Sequence, residues 1–308
     1  MDLTDELVRD STAPAAARAP TRPPELEDWL NLRIYHPLSA RIAAALESTP
    51  VSPNMVSFTG GTLIVLAGLF YVGLDWPVSV ALGFVAHATW HVVDGADGDL
   101  ARRRGVASPM GELIDGACDY VGHFLLYCLL AIPLYRWIGP LALAAGLAAG
   151  LCRIVQSNHS ESRRRTYQWR VYGIPWLKEA QASTSEARGW ASRTLRRVGQ
   201  IYVAAAANPL AERVDALVAA APDREAARAL CRRRSRTALR FQTWLGPNSR
   251  TVALALSMAA GSPLWFFLYE IVGMNLLLVA AAWLQRRCDR DLAERLVRCS
   301  PAKAGAQT

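Results

Sequence analysis

Charge is scarce in this chain. Only 19% of its 308 residues are Asp, Glu, Lys or Arg, 52% are hydrophobic, and the mean hydropathy is +0.13. Soluble domains average about 25% charged residues, so an ordinary soluble globule is a poor fit. Residues 56–74 carry no charge, and residues 251–284 carry one, Glu270. The six cysteines form no CxxC pair and no metal-ligand spacing. That excludes a disulfide framework and a thiolate zinc site; scattered thiols in apolar stretches act as small hydrophobes facing a reducing compartment. The first 50 residues lack a continuous apolar run, so no secretory signal is expected.

What charge there is leans basic, with a net +8 and a pI near 9.5. Such a balance calls for an anionic partner, either nucleic acid or an acidic membrane surface. The apolar runs decide for the membrane. Residues 1–24 read as a disordered Ala/Pro-rich tail, and 25–51 as an amphipathic helix lying at the bilayer interface. Residues 52–157 hold four spans, at 56–74, 77–93, 119–134 and 138–155. Residues 158–245 contain no span-length apolar run and read as an Arg-rich, mostly helical cytosolic insertion. The stretch 251–284 would extend about 50 Å as a single helix, against about 30 Å of hydrocarbon. It is therefore read, within 246–286, as two spans with a turn at Gly261-Ser262-Pro263, leaving 287–308 as a cytosolic tail. The expectation is an all-α, polytopic bundle of six transmembrane helices. Arginine clusters follow spans two, four and six, so both termini, the insertion and the loop after span two are expected in the cytosol.

The chain is organised around one stretch, residues 94–119, DGADGDLARRRGVASPMGELIDGACD. It carries two pairs of carboxylates. Asp94 and Asp97 are spaced i,i+3 and Asp115 and Asp119 i,i+4, so on helical flanks each pair shares a face. A carboxylate at span depth costs roughly 2.5–3.5 kcal/mol, and like charges add repulsion. Four together make sense as a cage for hard divalent cations such as Mg²⁺ or Mn²⁺, since zinc would call for His or Cys. Four carboxylates are enough for two ions, the arrangement that clamps both sides of a phosphoryl displacement.

The spacing Asp94-x-x-Asp97-Gly98-x-x-Ala101-Arg102, eight residues, then Gly111-x-x-x-Asp115-x-x-x-Asp119 resembles the signature of the CDP-alcohol phosphotransferase family, with no fixed position missing. Ser52-Pro53-Asn54 before span one resembles a further element of that family; nothing in 158–245 does. The resemblance implies transfer of a substituted phosphate from a CDP-linked donor to an alcohol, with release of CMP. It implies that Asp94, Asp97, Asp115 and Asp119 hold two Mg²⁺ or Mn²⁺ ions and that Asp119 is also the base. It further implies that Gly98, Ala101, Arg102 and Gly111 line the CDP site. CDP-diacylglycerol with a polyol or polyol-phosphate acceptor is the first expectation for substrates. The run Gly111-Glu112-Leu113-Ile114-Asp115 also resembles the choline/ethanolamine branch, in which a CDP-aminoalcohol meets a lipid alcohol.

Other residues carry two readings each. His91 and His123 stand one turn outside the motif, either supporting the cage or simply as polar residues near helix ends. Arg153 and Arg250 are placed to bind a phosphate on the acceptor, or else to anchor in lipid headgroups. The run Ser162–Arg170 is read as gripping anionic lipid, with nucleic acid excluded as a partner and a homodimer left open. A reading of another class, a non-catalytic divalent-cation transporter, would also use buried aspartates. It has no use for a nucleotide-sized notch beside a basic residue.

Overall fold

A computed structural model of the chain describes residues 23–174 and 208–298. The expected 1–24 tail therefore lies almost wholly outside the described residues. Every regular element among them is helical. A π-helical turn, Asn31–Tyr35, leads into α1 (His36–Leu46), followed by α2 (Pro53–Gly73), α3 (Val78–Arg103), α4 (Pro109–Ile138) and α5 (Leu141–Tyr172). After the undescribed stretch come α6 (Pro209–Ala219), α7 (Arg224–Trp244), α8 (Pro247–Ala259) and α9 (Leu264–Leu268). A second π-helical turn, Tyr269–Gly273, runs into α10 (Met274–Arg298).

Among the described residues, four helices are long and apolar enough to cross a membrane: α2, α4, α5 and the continuous run Leu264–Arg298. Their starts follow local chemistry. Ser52 accepts from the Met55 N–H and Ser108 from the Gly111 N–H, each with proline in the next position, where its missing donor costs nothing. Between α3 and α4 the chain reverses at Gly105, whose φ of 68° suits only a residue without a Cβ.

Two cores organise the helices. The larger gathers Ile64 and Tyr71 from α2, Trp90 from α3, Leu126 and Leu130 from α4, Ala149 from α5, Leu254 from α8 and Phe266 and Phe267 from α9. The helices α2 and α4 cross closely: a Cβ on Gly61 would stand 3.1 Å from the Cys118 carbonyl, and one on Gly122 3.1 Å from the Gly61 carbonyl. Small residues permit this approach, which in lipid supplies the packing that water would otherwise drive. The segment α1 lies along α3 through Ala43, Ala96 and Leu100, and Ser39 donates to the Val92 carbonyl. Leu38 of α1 and, in the stretch that leads into it, Trp29, Leu32 and Ile34 are exposed.

The second core joins the distal end of α5 (Tyr167, Val171) to α6, α7 and the last turns of α10 (Leu292, Leu296). Residues read from sequence as an insertion, and part of the stretch read as a C-terminal tail, thus form one helical unit. Here the run Ser162–Arg170 is consumed in packing rather than spread over a surface. Arg163, Tyr167 and Arg170 are buried, and Arg164 and Arg165 both pair with Glu161. Cys231 is fully buried there, and desolvation pushes its thiol up to about 11, which fits the small-hydrophobe reading of the cysteines.

Arginine also ties the ends together. The Arg104 guanidinium donates to the carbonyls of Leu46, Glu47, Thr49 and Val51, closing the C-terminus of α1 onto that of α3. Arg170, 2% exposed, bridges Asp289 of α10 at 2.6 Å and Asp215 of α6 at 2.7 Å. Removing one partner of a buried pair strands the other charge, at about 3–5 kcal/mol, whereas exposed pairs are worth about 0–1 kcal/mol. Arg170→Ala is therefore expected to destabilise the detergent-purified protein by several kcal/mol in denaturant titration. Arg103→Ala, which removes the exposed pair with Glu47, should leave the midpoint nearly unmoved.

Candidate active site

The four signature aspartates face one another between the end of α3 and the start of α4, two helices that both pack on α2. Asp97 is buried, and Asp94, Asp115 and Asp119 are half-buried. The carboxylates approach pairwise across the two helices: Asp94 lies within hydrogen-bonding reach of Asp119, and Asp97 within reach of Asp115. Two neutral donors hold them. Ser57 of α2 donates its hydroxyl to Asp97 Oδ2, and Trp90 of α3 donates Nε1–H to Asp119 Oδ1 at 2.8 Å.

No group of three or more His, Cys, Asp or Glu side chains among the described residues is set around one point as a finished metal site. The donor chemistry nonetheless fits hard cations. Four carboxylates converge, with the guanidinium of Arg102 near Asp97 and that of Arg153 near Asp119. Carboxylate oxygens in that excess are matched by oxygen-seeking divalent ions and not by zinc.

The residues expected to line a nucleotide site cluster beside the carboxylates. The exposed Arg102 folds its guanidinium over Gly98, where a Cβ would stand 3.2 Å from Nη1, and its Nη2 donates to Asp99 at 2.6 Å. Ala101 precedes it on α3, and Gly111 stands one turn before Asp115 with its N–H held by Ser108.

The two histidines separate. His123 joins the site: Arg153 Nη2 donates to its Nε2 at 2.9 Å, and its Nδ1 lies 2.8 Å from the Asp119 carbonyl oxygen. A guanidinium can only donate, so Nε2 carries the lone pair and Nδ1 the proton. His123 thus links Arg153 to the backbone of Asp119. His91 faces elsewhere, stacked on Tyr35 with its Nε2 2.8 Å from the Thr251 hydroxyl.

The two arginines separate as well. Arg153 stands at the site, half-buried on α5. Arg250 does not: it is 1% exposed, its Nε meets both oxygens of Glu270 at 3.0 and 3.2 Å, Nη2 donates to Gln156, and Nη1 donates to the Leu245 carbonyl. Tyr127 completes the cluster by donating to Glu270 Oε1 at 3.0 Å. A guanidinium neutralised by a fully buried carboxylate is a bundle tie, and the expectation that Arg250 holds an acceptor phosphate gives way to that role.

Sequence reasoning passed over Ser57, Trp90 and Glu270. Glu270 had a signal, as the lone charge in a long apolar stretch. Trp90 had a weaker one, four residues before Asp94 and so on the same face of α3. Ser57 had none beyond its nearness to Ser52-Pro53-Asn54.

Residues 50–175 match the family model for CDP-alcohol phosphatidyltransferase, so the resemblance carried by the aspartate motif holds over that segment. Three curated relatives are similar over part of their length, all carrying the name ethanolaminephosphotransferase 1. The one from Homo sapiens is 29% identical over 146 residues, covering 35% of this chain and 36% of the relative. The one from Pongo abelii is 28% identical over 146 residues with the same coverage. The one from Mus musculus is 27% identical over 162 residues, covering 48% of this chain and 39% of the relative. The alignments thus span between a third and two-fifths of the relatives' length.

The Arg250 arrangement has a measurable consequence. Arg250→Leu and Glu270→Leu should each lower the unfolding midpoint sharply, because each strands a buried charge, and the double variant should lose less than either single one. If the two losses simply add, the pair is not coupled and its structural role is wrong.

Proposed function

We propose that this protein is an integral-membrane CDP-alcohol phosphotransferase of phospholipid synthesis, moving a substituted phosphate from a CDP-linked donor to an alcohol and releasing CMP. The observation that carries the proposal is the convergence of all four signature carboxylates, with Arg102 and Gly98 beside them, inside the segment that matches the family model. A cation transporter would need the acidic cluster but not the guanidinium-roofed glycine next to it.

The chain's own residues have separate tasks. Asp119 takes the proton of the acceptor hydroxyl as its oxygen bonds to phosphorus and the bond to CMP breaks. Arg102 offers a planar, exposed donor set that exchanges Asp99 for the donor's pyrophosphate, while Gly98 and Ala101 leave room for it. Asp94, Asp97, Asp115 and Asp119 would hold two Mg²⁺ or Mn²⁺ ions, which when bound neutralise charge on the phosphates. Ser57 keeps Asp97 turned inward. No covalent intermediate is needed, so the displacement is direct.

Two donor classes are supported by different observations. The Glu-Leu-Ile between Gly111 and Asp115, together with relatives named for ethanolamine transfer, favours a CDP-aminoalcohol donor and a lipid-alcohol acceptor. The half-buried Arg153 beside Asp119 favours an acceptor bearing its own phosphate, and with it CDP-diacylglycerol as donor. Purified protein offered each CDP donor in turn with Mn²⁺ and a panel of acceptors, scored by CMP release, separates them. In that assay Asp97→Asn is expected to lose far more than tenfold in turnover while still inserting and purifying. Retention of a tenth or more of wild-type activity would reject the cage.

In the proposed topology the active site and both termini face the cytosol, with α3 and α8 completing six spans. The helix α8 has 13 residues, about 20 Å, short of a bilayer by itself. Single cysteines at Gly105 and Ser262 in a Cys-free background are expected to label from opposite sides, because α4, α5 and α8 would all lie between them. Labelling from one side would mean that α8 does not cross.

A further inference from the structure

The base of a proton transfer must be aimed as well as present, and an aspartate carboxylate is poorly aimed by itself. Its terminal torsion is broad and nearly two-fold, so without a fixed donor either oxygen can face the acceptor. In this protein the donor is Trp90, whose Nε1–H lies 2.8 Å from Asp119 Oδ1. Nothing given by the motif places a tryptophan there.

The indole is itself immobilised. Trp90 is 3% exposed, with its ring 4.4 Å from that of His91 and edge-on to His123 at 4.6 Å. On its other side Gly60 of α2 brings backbone so near that a Cβ there would touch the indole, 3.5 Å from Cδ1. An indole has one N–H and no acceptor, so it cannot trade partners as a hydroxyl would. The backbone of the same aspartate is held independently by the His123 Nδ1–H, with His123 in turn held by Arg153. Carboxylate and main chain of Asp119 are thus fixed by two separate donors on rigid helices.

From this we infer that Trp90 is a positioning residue for the transfer step: its N–H occupies Asp119 Oδ1 and so presents the other oxygen to the acceptor hydroxyl. The inference rests on the proposed transferase reading and on Asp119 as base. It requires that the N–H, and not the bulk of the ring, sets the rate. Geometry of this kind governs chemistry more than substrate affinity.

The test separates N–H from ring. Replacing Trp90 with 3-benzothienylalanine, which keeps the fused ring and substitutes sulfur for N–H, should lower kcat at least tenfold while both KM values stay within about twofold. Trp90→Phe should behave alike in kcat. A non-catalytic readout accompanies it. In ¹⁵N-indole spectra of the uniformly labelled full chain, the resonance lost in Trp90→Phe should shift on Asp119→Asn and stay in place on the distant Arg103→Ala. Wild-type kcat in the benzothienyl variant, or a loss confined to KM, would overturn the assignment while leaving the transferase reading intact. An indole resonance indifferent to Asp119→Asn would overturn it as well. A wild-type protein that releases no CMP from any CDP donor would remove the transferase reading, and the inference with it.

Discussion

The arrangement depends on a repulsion. Four carboxylates are driven together at one end of an apolar bundle, where burial weakens solvent screening and each would prefer to be apart. No amount of hydrophobic packing by α2, α3 and α4 lowers that cost; the packing only enforces it. The rigid α2–α4 crossing at Gly61 and Gly122, the Gly105 reversal and the Arg104 clasp all serve to hold α3 and α4 where their acidic faces oppose. Ser57 and Trp90 offset a fraction of the cost, since a neutral donor solvates one oxygen without cancelling the charge. The remainder is the charge that the proposed divalent cations would neutralise.

Elsewhere the same chain handles buried charge in the opposite way. Arg250 with Glu270 is a closed pair, and Arg170 is shared between Asp289 and Asp215, so each buried guanidinium is met by directed carboxylate bonds. Such pairs contribute little net stability over apolar residues of equal size, because desolvation consumes most of the attraction. What they supply is discrimination: an Arg250 that slid by one helical turn would strand Glu270 in the core. The contrast between balanced pairs in the bundle and unbalanced carboxylates at its end is what marks the latter as functional.

Much of this was legible in the sequence, for a physical reason. Spacing within a single helix is written directly in residue numbers, so the i,i+3 and i,i+4 pairing and the turn at Gly261 could be read without coordinates. The apolar runs are equally local, and four of the six expected spans coincide with helices that are long and apolar enough to cross, among the described residues. What could not be read were relations between helices. The separation of His91 from His123 depends on how far α3 and α4 rotate about their axes. The diversion of Arg250 depends on Glu270, twenty residues away. The distal core of α5, α6, α7 and α10 has no sequence signature, because the aliphatic residues that build it are spread thinly among arginines. Its arginines looked like surface for the same reason: sequence shows the charge but not the aspartate that buries it.

Helix α5 joins these parts. It carries Arg153 at the acidic site, Gln156 in the Arg250–Glu270 cluster and Arg170 in the distal core, on one uninterrupted rod from Leu141 to Tyr172. From Arg153 to Arg170 the rise is about 25 Å at about 1.5 Å per residue. A rigid rod anchored at its far end by a doubly paired arginine cannot rotate at its near end without breaking those bonds. The position of Arg153 against His123, and through it the backbone of Asp119, is therefore set partly from outside the segment that carries the signature. Residues beyond 175 lie outside the segment that matches the family model, yet by fixing α5 they help fix the geometry on which the motif depends.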